Sequence, residues 1–159
     1  TLVRENVGFG GRVIELGGYH GGSIATLALA TPHKGIHYTS VESFSGNLDG
    51  TVDGHPLPAL NTYLDNLKAK WPFLNIGVVQ LPGQFAVVKF PDESIDFLFV
   101  DGGHDETSVT RDITQWLPKV RTGGIIAGDD YCWEGVQTSV KKLLPSHKNA
   151  DGIWWVNKE

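Results

Sequence analysis

The stretch RVIELGGYHGGSIATLALA, at residues 12–30, decides the fold class of this chain. Residues 12–16 form a short apolar run rich in β-branched side chains, which is typical of a buried strand. Two glycine pairs follow, and residues 23–30 then carry the small apolar side chains of a helix that ends at Thr31-Pro32. The order of strand, glycine turn and helix predicts the first crossover of an α/β domain.

The same alternation of strand-like and helix-like segments continues to the end of the chain. We expect further strands at residues 36–42, 76–80, 94–100, 125–128 and 153–156, and helices at residues 59–70, 84–90, 107–120 and 135–144. Right-handed crossovers between such strands give a doubly wound, mostly parallel sheet whose ligand crevice lies beyond the carboxyl ends of the strands. Residues 43–58 form a loop too long for a simple connection, which is typical of a lid or binding loop.

Composition limits the classes of protein to which this chain can belong. The chain has 159 residues, 40% of them hydrophobic, which suits a single domain over residues 1–159. Its formal charge of −5 argues against nucleic acid or an anionic membrane as a partner. The single Cys132 excludes an internal disulfide, and no apolar run approaches the roughly 20 residues that cross a bilayer, so we expect a cytoplasmic protein.

The segment before the first predicted strand is short. We therefore expect a minimal domain without N-terminal cap helices to close over a substrate. A second copy of the chain, in a homo-oligomer, is then the candidate that would complete the site.

The glycine loop reads ELGGYHGGS from Glu15 to Ser23. Its glycines permit a tight turn and let a ligand approach bare backbone at a helix N-terminus, which favours a nucleotide-type ligand. A dinucleotide fingerprint needs a third glycine between Gly17 and Gly22, and Tyr19 takes that position, so an NAD-linked enzyme stays open only as an alternative. A glycine turn that merely packs strand on helix is the other alternative.

Glu42 ends the second predicted strand. A carboxylate at this place in doubly wound folds typically accepts hydrogen bonds from both ribose hydroxyls of an adenosine ligand. The alternative is an ordinary exposed glutamate at a strand end.

Three aspartates follow two other predicted strands: Asp101 ends one of them, and Asp129 and Asp130 end the next. If those strands are adjacent, the carboxylates converge and repel one another unless a cation lies between them. Oxygen ligands favour Mg²⁺, Mn²⁺ or Ca²⁺ over Zn²⁺, although capping of the following helices is an alternative role. His104, at the same rim, is a candidate general base.

Five segments together resemble the class I S-adenosylmethionine-dependent methyltransferases. They are ELGGYHGGS at 15–23, VESF at 41–44, FPDESIDFLFVDGGH at 90–104, WLPKV at 116–120 and GGIIAGDDY at 123–131. The chain is most similar to the small-molecule branch with macrocin-type sugar O-methyltransferases and cephalosporin-hydroxylase-like proteins, and its metal arrangement is similar to that of catechol O-methyltransferase. The resemblance covers about residues 13–156.

This resemblance implies a Rossmann-like sheet of strand order 3-2-1-4-5 with a short C-terminal strand pair, and it assigns roles to individual residues. The residues implied to contact S-adenosylmethionine are Glu15, Gly17, Gly18, Tyr19, His20, Gly21, Gly22, Ser23, Glu42, Ser43, Phe85 and Asp101. A divalent metal would be held by Asp101, Asp129 and Asp130, with His104 as the catalytic base. Relatives often place an acidic residue and a serine against adenine after the third strand, whereas this chain reads Leu81-Pro82-Gly83-Gln84, with Phe85 and Phe44 as candidate walls.

The function that these patterns predict is metal-assisted methyl transfer from S-adenosylmethionine to a hydroxyl of a small molecule, such as a sugar, a polyol or a catechol. We expect residues 43–58, with Tyr131 and Trp133 opposite, to frame the acceptor pocket. A non-catalytic S-adenosylmethionine-binding or partner module is the main alternative, and an NAD-linked enzyme is a further one.

Overall fold

The order of the strands places the predicted site at one edge of a central sheet. The computed structural model describes residues 2–32, 34–45, 51–52, 55–56 and 59–159. The strands are β1 (Arg12–Leu16), β2 (His37–Val41), β3 (Thr51–Val52), β4 (His55–Pro56), β5 (Ile76–Val79), β6 (Ile95–Val100), β7 (Val120–Gly128), β8 (Lys148–Ala150) and β9 (Ile153–Asn157). The helices are α1 (Leu2–Asn6), α2 (Gly22–Leu29), α3 (Leu60–Lys70), α4 (Gly83–Ala86), α5 (Glu106–Trp116) and α6 (Glu134–Leu143), with 3-10 turns at Val87–Lys89 and Leu117–Lys119.

In the described part of the chain the main sheet has seven strands, in the order β5-β2-β1-β6-β7-β9-β8. The first five of these are parallel, whereas β9 runs antiparallel to β7 and β8 antiparallel to β9. This confirms the predicted order 3-2-1-4-5 with a C-terminal strand pair, because β5, β6 and β7 are the third, fourth and fifth parallel strands of the chain. Since the strand order reverses between β1 and β6, a crevice is expected at their carboxyl ends.

Both faces of the sheet are covered by helices, and strand alternation decides which side chain faces which helix. Val13, Phe97 and Ile125 lie in register on β1, β6 and β7 and pack in the cluster that includes Ile24 of α2. The next residue of each strand points to the opposite face, in the cluster with Val109 and Trp116 of α5: Ile14, Leu98 and Ile126. Continuous apolar runs are required here because each strand is buried on both faces.

Two features of the fold differ from the sequence prediction. Helix α1 was not expected; Val3 packs in the core, and the Lys34 ammonium donates to the carbonyls of Arg4 and Val7. Strand β7 begins at Val120 instead of residue 125, and a register shift between β6 and β7 lies next to Gly123-Gly124. The glycine pair therefore lies inside the strand, where a Cβ on Gly124 would stand 3.0 Å from the carbonyl oxygen of Asp96.

Part of the predicted binding loop lies outside the described residues: 46–50, 53–54 and 57–58. Between them, β3 and β4 pair as a short antiparallel ribbon. The prediction that residues 43–58 frame an acceptor pocket therefore stays a prediction. Of the helices that the structure describes, none is long and apolar enough to span a membrane.

Candidate functional site

A cavity of about 470 Å³ opens at the carboxyl ends of β1, β2, β5 and β6. Gly17 and Asp101 line it where β1 and β6 end side by side. Glu42 at the end of β2, Gly83 at the start of α4 and Asp112 of α5 also line it. The cavity thus occupies the switch point that the strand order creates.

The glycine loop brings bare backbone to this cavity. Gly17 has a φ of +89°, and a Cβ at this position would overlap the backbone carbonyl of Asp101. A Cβ on Gly18 would overlap the Ser40 hydroxyl. Both glycines are therefore required by the close approach of neighbouring strands, so the packing role that we considered as an alternative is also present.

The other residues of the loop take different places. Tyr19 lines the cavity next to Gly17. Gly21 packs beneath it against the Leu67 side chain, and Ser23 donates from its hydroxyl to Asp101 Oδ2 over 3.2 Å. His20 and Gly22 are exposed and do not line the cavity as the described residues define it.

Glu42 is held in a fixed orientation at the cavity. The backbone N–H of Tyr19 donates to its Oε2 over 3.1 Å, and the backbone N–H of Phe44 donates to its Oε1 over 2.9 Å. Ser43 also lines the cavity and donates from its hydroxyl to Oε1. Tyr19 and Phe44 have φ values of 41° and 56°, a strained backbone that is concentrated at functional sites. The result is an ordered carboxylate with lone pairs left for a ligand.

Glu15 lies beneath the loop and is fully buried, so it does not line the cavity. The Ser40 hydroxyl donates to its Oε2 over 3.0 Å, and its Oε1 has no hydrogen-bond partner among the residues that the structure describes. Burial raises the pKa of this carboxyl to about 7. Glu15 is thus held by Ser40 of the neighbouring strand and is not among the residues that line the cavity, and its predicted contact with the cofactor stays a prediction.

The buried Glu15 makes the stability of the protein depend on pH. The folded protein keeps this carboxyl protonated up to about pH 7, whereas its ordinary pKa is 4.5. Between these values the unfolded chain binds fewer protons, so the free energy of unfolding falls as pH rises. Over this pH window the free energy of unfolding of the wild type should fall by roughly 3 kcal/mol relative to that of Glu15→Gln, since one pH unit is worth about 1.4 kcal/mol per proton.

Urea unfolding of both proteins at about pH 5 and about pH 8 measures this difference. Glutamine has nearly the same shape as glutamic acid and does not titrate, so the variant keeps the packing and removes only the pH dependence of this side chain. A difference in unfolding free energy between wild type and Glu15→Gln that stays constant across the two pH values would contradict the prediction.

The aspartates after β6 and β7 lie at the same rim. Asp101 lines the cavity, and its pKa is raised to about 7, first by burial and then by the negative charges of Asp129 and Asp130. Helix capping does not explain these three aspartates. Helix α5 is capped by Asp105, whose carboxylate accepts a hydrogen bond from the Ser108 N–H, and the residue before α6 is Trp133.

His104 Nε2 and Asp130 Oδ2 lie 2.8 Å apart. Asp130 adopts a φ of +60°, which turns its side chain to the histidine, and the His104 ring stacks on Trp133 with centroids 5.2 Å apart. Both side chains are partly exposed, at 23% for His104 and 31% for Asp130. In the tautomer that donates its Nε2 proton to this carboxylate, Nδ1 carries a lone pair that can accept a proton.

The predicted metal ligands are of the right chemical type but are not arranged as a cage. Across the described ranges, no three His, Cys, Asp or Glu side chains are placed to hold a metal ion. Asp130 is directed to His104, and Asp129 Oδ1 accepts the backbone N–H of Asp130 over 2.7 Å. Asp130 therefore contacts His104 in this structure, and its assignment to a metal stays a prediction of the sequence.

Two aromatic residues predicted as adenine walls are placed elsewhere. Phe85 is 61% exposed and is not among the described residues that line the cavity, whereas Leu81 to Gln84 of the same segment are. Phe44 packs edge-on against Tyr63, with ring centroids 5.3 Å apart. Tyr131, expected at the acceptor pocket, is bound through its hydroxyl to His147 Nε2 at 2.6 Å.

Sequence reasoning missed Arg111 and Asp112, which both line the cavity. Asp112 is buried, and its Oδ1 accepts from Arg111 Nε over 3.1 Å. The signal in the sequence was an acidic residue on the apolar face of α5, between the buried Val109 and Ile113.

Comparison with known proteins places the chain among methyltransferases. The profile of a methyltransferase domain family matches residues 14–131. Tapetum-specific methyltransferase 1 of Arabidopsis thaliana is 28% identical over 141 residues, which are 86% of this chain and 54% of that protein. The chain therefore spans about half the length of this curated relative.

Two solved structures share the fold. The SAH-bound methyltransferase PaMTH1 of Podospora anserina is 13% identical with a TM-score of 0.68, and the match covers 93% of this chain and 71% of that one. The O-methyltransferase NovP is 18% identical with a TM-score of 0.66, covering 99% of this chain and 74% of that one. At these identities the likeness establishes the architecture and not the reaction.

Proposed function

Because the chain belongs to the methyltransferase domain family, we propose that its cavity binds S-adenosylmethionine and that it transfers the cofactor's methyl group to a hydroxyl of a small molecule. The observation that carries the proposal is that one cavity is lined by both the ordered Glu42 carboxylate and His104, whose Nε2 lies 2.8 Å from Asp130 Oδ2. The first is a ribose-binding group and the second is a positioned base, so binding and chemistry share one space.

The residues of the cavity fit this cofactor. The backbone at Gly17 leaves no side chain between a ligand and the end of β1, which suits close approach of the methionine part. Glu42 is oriented by backbone N–H donors on both oxygens, and its Oε2 keeps acceptor capacity, which suits a ribose hydroxyl. When bound, the cofactor would supply a methyl group on a cationic sulfur. Because that sulfur leaves as a neutral thioether, the leaving group needs no acid.

His104 is the group proposed to activate the acceptor. Its Nδ1 takes the proton of the acceptor hydroxyl, while Asp130 holds the Nε2 proton and stabilises the resulting imidazolium. The acceptor oxygen then gains the methyl group, so that the acceptor exchanges one proton for one methyl. The stacked Trp133 fixes the ring plane and offers a half-exposed face to an acceptor ring.

The proposal is tested by incubating the protein with S-adenosylmethionine that carries a labelled methyl group and with a panel of sugars, polyols and catechols. We expect label to move to at least one hydroxyl compound and S-adenosylhomocysteine (SAH) to form in equal amount. Binding of SAH without transfer to any acceptor would instead support the non-catalytic binding module and contradict the proposed reaction.

Dependence on a divalent cation held by Asp101, Asp129 and Asp130 stays a prediction of the sequence, and no step above relies on it. The same transfer assay tests it when run with a chelator and again after Mg²⁺ is restored. The prediction requires loss of transfer with the chelator and recovery with Mg²⁺ in the wild type. Equal rates under both conditions would contradict it.

A further inference from the structure

The lining of the cavity includes a buried acidic group on α5 with unused acceptor capacity. The Asp112 side chain is only 8% exposed, yet it lines the cavity. Arg111 Nε donates to Oδ1, which leaves further lone pairs of the carboxylate open to a ligand. Burial raises the pKa of this carboxyl above its ordinary value, because the charged form is less well hydrated inside the protein.

Two glycines leave space in front of this carboxylate. A Cβ on Gly83 would stand 3.9 Å from Asp112 Oδ1, and a Cβ on Gly102 would stand 3.5 Å from Oδ2. The same point beside Gly83 is 3.7 Å from the indole Nε1 of Trp116, a fully buried donor for which the described residues provide no acceptor. A buried acceptor that lines the cavity and a buried donor without a described partner therefore both lie within 4 Å of the point where a Gly83 Cβ would stand. Buried polar groups of this kind are normally satisfied, by protein, water or ligand.

The part of the cavity lined by Gly83 and Asp112 is where the base of the cofactor would lie. Glu42 borders the cavity at the end of β2, and the chain after the adjacent β5 contributes Leu81 to Gln84. An adenosine whose ribose contacts Glu42 therefore extends its base between this segment and α5. None of Leu81, Pro82, Gly83 and Gln84 carries a carboxylate, so the acidic group nearest this segment comes from α5.

We propose that the Asp112 carboxylate accepts a hydrogen bond from the 6-amino group of the adenine ring and so selects adenine over 6-oxo purines. The assignment rests on the proposed function, because it takes S-adenosylmethionine as the ligand. A carboxylate only accepts hydrogen bonds, and the 6-amino group donates them, whereas the 6-oxo group of a hypoxanthine base would meet the carboxylate with another acceptor. Asp112 is thus a specificity-determining residue that the motifs in the sequence did not reveal.

The experiment compares the affinities of SAH and of S-inosylhomocysteine, its 6-oxo analogue, by calorimetry. The wild type should prefer SAH by about 30-fold or more, as expected for a buried hydrogen bond to a charged group. In Asp112→Asn the carboxamide can offer an N–H to the 6-oxo group, so the preference should fall to about threefold or less. The matched control Asp65→Asn, on the exposed side of α3, should keep the wild-type preference.

A second variant tests the same space without touching the carboxylate. The methyl group of Gly83→Ala would make ordinary contacts with Asp112 and Trp116, so the fold should be retained. It would occupy the space assigned to the base, so both ligands should bind about tenfold more weakly with an unchanged preference for SAH.

The outcomes distinguish failure of the Asp112 assignment from failure of the proposed function. If wild-type protein and Asp112→Asn both bind SAH with the same preference over the analogue, the assignment of Asp112 is overturned and the proposed function stands. Wild-type affinity of Gly83→Ala for both ligands would likewise overturn the assignment, even if Asp112→Asn fails to fold. If the wild type does not bind SAH at all, both the assignment and the proposed function are overturned.

Discussion

Replacement of His104 by alanine is expected to lower kcat for methyl transfer by about 10²–10⁴-fold, the range typical of a lost general base. The reason is that His104 lines the cavity and its Nε2 lies 2.8 Å from Asp130, which assigns the transfer of the acceptor's proton to Nδ1. Affinity for SAH should change little, since Glu42 and the glycine loop are retained. The measurement is a steady-state transfer assay with the acceptor found in the panel.

Two variants control this result. His37→Ala removes a histidine from the opposite end of the sheet, where the side chain is exposed, and should leave kcat unchanged. Asp130→Asn keeps a hydrogen-bonding side chain next to Nε2 but removes the charge that stabilises the imidazolium, so kcat should fall by a smaller factor than in His104→Ala. Transfer by His104→Ala at the wild-type rate would show that His104 is not the base.

Substitution of Gly17 by alanine should destabilise the protein by roughly 3 kcal/mol or more, the largest effect on stability expected in the glycine loop. A Cβ would overlap the backbone carbonyl of Asp101, and the φ of +89° is itself unfavourable for a residue with a side chain. The clash involves backbone on both sides, so it cannot be relieved by a change of rotamer. We therefore expect a large loss of unfolding free energy in urea and loss of SAH binding.

Gly22→Ala is the matched control for this prediction. In the described part of the chain a Cβ at Gly22 meets no atom within 4 Å, and the residue is the first of α2. Alanine favours helix over glycine, so this variant should be neutral or more stable by up to about 1 kcal/mol. Equal stability of the Gly17→Ala and Gly22→Ala variants would show that the close approach of β1 and β6 is not needed for folding.

The fold could be predicted from the sequence because local pattern and global architecture agree in this chain. Strands β1 and β6 carry apolar residues on both faces, which is what burial on both faces requires, and the glycines after β1 lie where two strand ends meet. The register shift between β6 and β7 could not be predicted in the same way. It depends on how Gly123-Gly124 fits against β6, which is a contact between strands and not a pattern along one of them.

The same distinction, between a pattern along the chain and a contact between elements, applies to the candidate site. Glu42 and Asp101 could be identified because a strand end fixes where its next residue lies. The pairing of Asp130 with His104 depends on a left-handed backbone at Asp130, and aspartate tolerates that conformation without requiring it. Asp112 was missed because a single acidic residue on a helix face has a meaning only once the packing of α5 beside Gly83 is known.

The central claim is that the cavity at the carboxyl edge of the sheet is an S-adenosylmethionine site in which Glu42 binds the ribose. Calorimetric titration with SAH tests it most directly, using wild-type protein and Glu42→Ala in parallel. We predict saturable binding by the wild type and an affinity lower by about tenfold or more in the variant, because hydrogen bonds to a charged group are lost. Absence of binding by the wild type, or equal affinity of the two proteins, would contradict the claim.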